Sequence, residues 1–297
     1  MSMQYIPGVS LPKAVNWHFE PRCNYRCKFC FAHFNGVKRA FVKDYRKLYK
    51  ALITRGVKKI TFVGGEPMLE PQIGDMIKEA AKVGLTTCVV TNGSRVKRRW
   101  LEDMVGYLHW IGFSIDASND AMHAKLGRGT ALEISRGESK HLERCLKTWE
   151  DARELGFGLK LNTVVALANV SDDMSVLVAK LKPHRWKVFQ VLHMKGENDH
   201  VWDELEISSS DFRSWVERHK HLRPIIEDNE AMTGSYCMLD NNLRFFTNVS
   251  GEIVYGRSIR DVGIDQAWLD IAKHGFSLDT FEKRGGIWGW EVENEVR

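Results

Sequence analysis

No apolar run in this 297-residue chain approaches the ~18–20 residues needed to cross a bilayer, and its start, MSMQYIPGVSLPKAV, has no basic segment followed by an apolar one. The expected location is therefore the cytoplasm, with no membrane partner. Cysteine is scarce: six in a chain of this length are too few for a disulfide scaffold. There is no low-complexity tract, no Pro/Ser-rich linker and no basic tail. Lys and Arg number 43 against 38 Asp and Glu, a net charge of only +5, which suits a polyanionic ligand and gives no ground for a nucleic-acid partner. Core material is ample, with 43% hydrophobic residues and 27% charged, as in a globular protein.

Six short apolar or β-branched runs predict strands: Ala14 to Phe19, Ile60 to Val63, Thr86 to Thr91, Ile111 to Ile115, Gly158 to Val165 and Lys187 to Leu192. Between them lie five amphipathic stretches: Val42 to Arg55, Ile73 to Val83, Arg95 to Tyr107, Lys140 to Leu155 and Asp172 to Leu181. Repeated strand–helix units imply an α/β chain with a parallel sheet and right-handed crossovers, doubly wound or curled into a barrel or partial barrel. Catalytic loops would follow the carboxyl ends of the strands. The rhythm changes near residue 205, which divides a core (1–205) from an extension (206–297) packed on it. In the extension, Ser208 to His219 and Ala267 to Lys273 read as helices, while Tyr236 to Thr247 and Glu252 to Tyr255 read as short strands or turns.

Half of the cysteines sit in the loop after the first strand, as Cys23-Asn-Tyr-Arg-Cys27-Lys-Phe-Cys30. Three thiolates on one short loop can hold three corners of a cubane [4Fe-4S] cluster, whose full ligation takes four, so one iron stays open. Zinc is the rival, but no second CxxC or HxxxH pair exists to complete its shell, and His18 and His33 are the nearest candidates. Cys88, Cys145 and Cys237 are scattered and read as small buried apolar residues.

CxxxCxxC after the first strand, followed by Gly64-Gly65-Glu66-Pro67 after the second, resembles the radical S-adenosylmethionine (SAM) superfamily. That resemblance implies a partial (β/α)6 barrel, a [4Fe-4S] cluster on Cys23, Cys27 and Cys30, and SAM chelated to the open iron and cleaved to a 5′-deoxyadenosyl radical. It also implies an external one-electron reductant of the flavodoxin or ferredoxin type. The Gly-Gly-Glu-Pro turn would offer carbonyls to the SAM ammonium, with no Cβ in the way. Asn92 and Ser114, at the ends of the third and fourth strands, would touch SAM or cap local turns. Arg128, in Gly127-Arg128-Gly129, has the planar fork for the SAM carboxylate, unless it is a solvated loop residue.

A narrower resemblance, to the viperin-like nucleotide dehydratases, runs over nearly the whole chain. It is carried by Asn16-Trp17-His18-Phe19, Lys59-Ile60-Thr61-Phe62, Lys160-Leu161-Asn162, Arg185-Trp186-Lys187-Val188-Phe189-Gln190, Gly196-Glu197-Asn198 and Lys283-Arg284-Gly285-Gly286. It implies conversion of a ribonucleoside triphosphate, CTP or UTP, to its 3′-deoxy-3′,4′-didehydro analogue, an antiviral chain terminator, by a chain acting as a monomer. The strand pattern supports an anion site independently. Lys59 and Thr61, Lys160 and Asn162, and Arg185 and Lys187 are each two apart, so each pair shares a face of its strand. Basic residues inside a buried parallel sheet are costly unless they meet an anion such as a triphosphate. The resemblance further implies that Tyr236 donates a hydrogen or proton, or stacks, and that Arg257 holds phosphate. Family members carry Asn in place of Thr61 and Ser in place of Val63, which bears on base choice. Two other readings are a radical SAM enzyme acting on peptide or RNA, and a non-catalytic iron–sulfur electron carrier. Peptide maturases usually hold auxiliary clusters, whereas Cys237 stands alone in the extension, and a carrier would normally show four cysteines.

Overall fold

Each expected strand is present within two residues of its expected ends: β1 (Ala14–Glu20), β2 (Lys59–Gly64), β3 (Thr86–Thr91), β4 (Trp110–Ser114), β5 (Gly158–Val165) and β6 (Arg185–Gln190). The computed structural model describes residues 10–34, 37–38, 45–287 and 289; the two ends of the chain and the start of the expected Val42-to-Arg55 helix fall outside the described residues. The six strands pair in parallel and in chain order. Strand alternation explains the curl. One face carries Val15, Trp17, Ile60, Phe62, Val89, Ile111, Phe113, Leu159 and Leu161, which pack beneath the crossover helices on Tyr49, Leu52, Ile77, Leu101 and Trp149. Each large side chain so buried contributes roughly 1.5–3 kcal/mol. The opposite face carries Asn16, Thr61, Lys160 and Lys187 and lines a cavity, so it cannot be covered by helices and forms the inside of an open, partial barrel.

The extension joins the same sheet at both sides. β7 (Ile225–Glu227) lies parallel beside β6, and β8 (Met238–Asp240) lies parallel beside β1. β9 (Arg244–Thr247) and β10 (Val254–Ser258) continue antiparallel, giving the order β10-β9-β8-β1-β2-β3-β4-β5-β6-β7. β7 has too few residues to show a period and was not expected. The expected helix Ala267 to Lys273 begins earlier, at Ile259, because the chain kinks at Gly263 (φ 77°) and continues, which hides the helical period. A further helix, Leu278–Lys283, precedes the glycine pair 285–286. No helix among the described residues is long and apolar enough to cross a membrane.

At the amino end of the barrel, the Trp110 ring lies over Gly158, where a Cβ would come within 2.5 Å of it. The indole thus fills the space beside Gly158, two residues before Lys160 on the same strand. Along the open seam, β7 and β8 share no ladder, yet Tyr236, just before β8, hydrogen-bonds Glu227 at the end of β7. The sheet has curled far enough for side chains to join its two sides.

Candidate active site

The cysteine loop is fixed before any metal is considered. Glu20 is buried and accepts from Arg22 Nε at 2.9 Å and Nη2 at 2.7 Å, which turns the chain out of β1. Tyr25 pairs with Thr130, Lys28 N donates to Leu126 O at 3.0 Å, and Arg144 Nη2 donates to Tyr25 Oη at 2.9 Å. Burial, reinforced by the Cys27 sulfur, pushes the Cys23 and Cys30 thiols up to about 12, and burial raises Cys27 as well. Such thiols stay protonated at neutral pH unless a metal takes them as thiolates. Among the described residues no group of three His, Cys, Asp or Glu side chains is arranged to hold a single ion. Three thiolates on one loop, one to each of three irons, are the donor set of a [4Fe-4S] cubane whose fourth iron is open.

Gly64 and Gly65 are required for a reason the sequence did not reveal. A Cβ at Gly64 would lie 2.2 Å from Glu20 O, and one at Gly65 would lie 2.2 Å from Arg22 O and 2.8 Å from Cys23 N. The expectation that the missing Cβ leaves room for a ligand is corrected: the space is filled by the base of the cysteine loop. The pair brings two loops into contact, with Gly65 N donating to Glu20 O (2.7 Å) and Glu66 N to Arg22 O (2.8 Å). Glu66 is buried and its carboxylate accepts from Met68 N (3.0 Å), Thr91 Oγ1 (2.6 Å) and Asn92 N (2.8 Å). It ties the turn at Pro67 to the end of β3.

Asn92 is similarly committed. Its Nδ2 donates to Asn24 Oδ1 at 3.0 Å and stands 4.0 Å from Cys23 Sγ, while its Oδ1 accepts from Ser94 N and Oγ. Ser114 lies half-buried at the end of β4, its carbonyl accepting from His141 Nε2 at 2.7 Å. Arg128 is not a solvated loop residue: it is 7% exposed, its Nε is paired with buried Asp116, and its guanidinium lies 5.1 Å from the Phe29 ring. These residues converge on the cysteine loop at the carboxyl ends of β1 to β4.

Farther down the inner face lies an open cavity lined by Asn16, Lys59, Thr61, Lys160, Lys187, Tyr236, Arg284 and the glycine pair 285–286. Register explains the gathering: Lys160 pairs with Arg185 and Asn162 with Lys187 across β5 and β6. Asn162 Oδ1 is buried with no hydrogen-bond partner among the described residues. Burial, and after it repulsion from neighbouring cations, lowers Lys59 to about 8 and lowers Lys160. Burial also brings Arg185 down to about 10, and its Nη2 donates to Gly285 O at 2.8 Å. Cations held this way gain most from a multivalent anion.

Arg257 is not in the cavity. It is exposed and forks onto Asp270 at 2.8 and 2.9 Å, and Arg284 stands in the cavity instead. The Arg284 guanidinium is 3.5 Å from the Tyr236 ring centroid and donates to Ser235 O at 2.6 Å. Glu227, wholly buried, pairs with Lys187, accepts from Tyr236 Oη and lies 3.6 Å from Arg284 Nη1. Burial alone would raise its carboxyl, but the Lys187 and Arg284 charges hold it below the usual range. Sequence reasoning missed Glu227 and assigned Arg284 no role. The Lys-Arg-Gly-Gly run was the available signal for Arg284; a glutamate ending a three-residue strand offers none.

Residues 18–181 match the family model of the Radical SAM superfamily. The chain is 40% identical over 296 residues to an S-adenosylmethionine-dependent nucleotide dehydratase of Flammeovirga pacifica, with 96% of this chain and 99% of that one covered. A protein of the same description from Lacinutrix mariniflava is 37% identical, with 96% of this chain and 60% of that one covered. Among solved structures, Streptococcus suis SuiB bound to S-adenosylmethionine superimposes with a TM-score of 0.64 at 15% identity, over 93% of this chain and 68% of that one. That likeness speaks to the fold alone.

Proposed function

The chain belongs to the radical SAM superfamily and, within it, to the S-adenosylmethionine-dependent nucleotide dehydratases, and from that premise we propose that it dehydrates CTP or UTP to the 3′-deoxy-3′,4′-didehydro analogue, an antiviral chain terminator. The observation that carries this reading is the cavity itself. Lys59, Lys160, Lys187 and Arg284 line it together with Thr61 and Tyr236, on the inner face that leads up to the cysteine loop. A triphosphate with about four negative charges meets that cation set, and a neutral peptide does not.

When bound, the cluster on Cys23, Cys27 and Cys30 and the SAM beside Gly64, Gly65, Glu66, Pro67, Asn92, Ser114 and Arg128 supply a 5′-deoxyadenosyl radical, which accepts a hydrogen atom. The chain's own residues decide which hydrogen is lost. The lysines, Arg185 and Arg284 anchor the triphosphate low in the barrel, so the sugar faces the cysteine loop, and position selects among C–H bonds of similar strength. The nucleotide then loses the C4′ hydrogen and its 3′-hydroxyl departs as water, with one electron and one proton taken up. Thr61 faces the base and selects a pyrimidine. Residues 206–297 complete the site, because Tyr236 and Arg284 both come from them. Three cysteines gathered on one metal-binding loop suit a reducing, cytoplasmic setting, and the cluster would draw its electron from an external flavodoxin- or ferredoxin-type reductant.

Reduced holoenzyme given SAM and each of the four ribonucleoside triphosphates should yield a product one water lighter from CTP or UTP. Substrate deuterated at C4′ should pass its label to 5′-deoxyadenosine. Product from purines alone overturns the base assignment, and label arriving from C3′ or C5′ overturns the hydrogen assignment.

Lys160→Met should weaken nucleotide binding about tenfold to a hundredfold, the scale of one charge-assisted contact of roughly 1.5–3 kcal/mol. SAM affinity should not change, because the two ligands meet different strand ends. Calorimetric titration of each ligand separates these outcomes, and an unchanged nucleotide Kd would move the triphosphate elsewhere.

A further inference from the structure

Glu227 is an acid set directly behind a cationic cavity wall, touching residues that line the cavity without lining it itself. It is fully buried at the end of β7, and its partners come from three other segments: Lys187 on β6, Tyr236 before β8 and Arg284 after the helix Leu278–Lys283. An ion pair serving packing alone need not face the substrate cavity. Here all three partners line it. The Tyr236 hydroxyl also donates to the carboxylate, so its proton is committed to Glu227 while its ring is covered by Arg284.

We propose that Glu227 is a positioning residue of the nucleotide site, a resident anion that holds Tyr236, Lys187 and Arg284 as one unit across the open seam until a triphosphate engages the cations. The proposal rests on the nucleotide-dehydratase reading above. In the free protein Glu227 balances Lys187, which would otherwise be a buried ammonium without a partner. With nucleotide bound, the phosphates supply negative charge to the same cations, and the carboxylate keeps the tyrosine aimed.

Glu227→Gln preserves the volume and one acceptor while deleting the charge. In this variant the free protein lacks the anion that a triphosphate can replace, so nucleotide Kd should fall, by about tenfold, and the nucleotide-induced rise in Tm should exceed that of the parent protein. Tyr236 is no longer held, so nucleotide product formed per 5′-deoxyadenosine should drop about tenfold. Tyr236→Phe should lower the same ratio without tightening binding, and adding Glu227→Gln to it should lower the ratio no further. Glu227→Asp restores the charge and should return Kd to the parent value.

Tighter binding with poorer coupling is a split that damaged packing does not produce. Weaker binding with an unchanged product ratio in Glu227→Gln would overturn the proposal. Should that variant fail to fold, Tyr236→Phe decides alone: an unchanged ratio sinks the unit. If the parent protein dehydrates no nucleotide at all, the function assigned above fails, while the Kd and Tm arms still report on the resident anion.

Discussion

Anaerobically reconstituted Cys27→Ala is expected to hold no [4Fe-4S] cluster and to cleave no SAM, with loss of both bound iron and the charge-transfer absorbance. None of the other three cysteines is placed to serve as a spare ligand. Cys88 and Cys237 are buried in the strand layer away from the loop, Cys88 Sγ facing Val89 O at 3.8 Å and the Cys237 carbonyl accepting from Asn16 N at 2.9 Å. Cys145 comes nearer, donating to Asn92 O at 3.3 Å, while Asn92 presents its Nδ2 to Cys23 Sγ at 4.0 Å, so Asn92 contacts both sulfurs. A Cβ added at Gly93 would lie 3.0 Å from the Cys145 sulfur, so that thiol is buried and packed tightly against the turn after β3. Alanine at Cys88 or Cys237 should therefore leave the cluster intact. Retention of about four irons by Cys27→Ala would show that the three-cysteine cubane is the wrong assignment.

The parts of the fold legible in the sequence are those written as a period. Six strands and their crossover helices announce themselves through alternation and amphipathicity, and the pairs Lys59/Thr61, Lys160/Asn162 and Arg185/Lys187 announce one face. The cysteine loop is legible because its chemistry depends on spacing along the chain. What escaped depends on the curl of the sheet. Glu227, ending β7, and Tyr236, just before β8, lie nine residues apart in sequence but at opposite sides of the seam. Arg257 and Arg284 are both basic residues of the extension, and neither lies in a periodic pattern that gives its surroundings. Only the packing of the helix Ile259–Ala272, which brings Asp270 to Arg257, and of the turn after Lys283, which brings Arg284 to Ser235, separates the surface pair from the cavity residue. The Gly64-Gly65 pair was found for its position, yet its reason, close contact with the backbone of Glu20, Arg22 and Cys23, is a tertiary fact.

Lys187→Met is expected to damage stability far more than Lys160→Met, although each removes one lysine from the same cavity. Lys187 is 5% exposed and paired with a carboxylate that is 0% exposed, and breaking such a pair from one side leaves a buried charge at a cost of about 3–5 kcal/mol. Arg284 at 3.6 Å and the Tyr236 hydroxyl remain to soften the loss, which places the expected value at the lower end. The pH dependence identifies the cause. In the parent protein Glu227 is held below the ordinary carboxyl range, so the stability it brings is present above that range and fades as pH falls through it. Without Lys187, burial favours the protonated acid, its folded-state pKa rises above the unfolded one, and folding then binds a proton. The variant should therefore lose stability as pH climbs, and its deficit relative to the parent should widen from about pH 4 to about pH 7. Denaturant titrations across that range test this, with Lys187→Met/Glu227→Gln as the companion. Removing both charges should recover most of the deficit and flatten its pH dependence, because a neutral amide does not titrate and needs no counter-ion. A Lys187→Met protein as stable as Lys160→Met at neutral pH would mean that Glu227 does not depend on this lysine and that Arg284 is its main counter-ion.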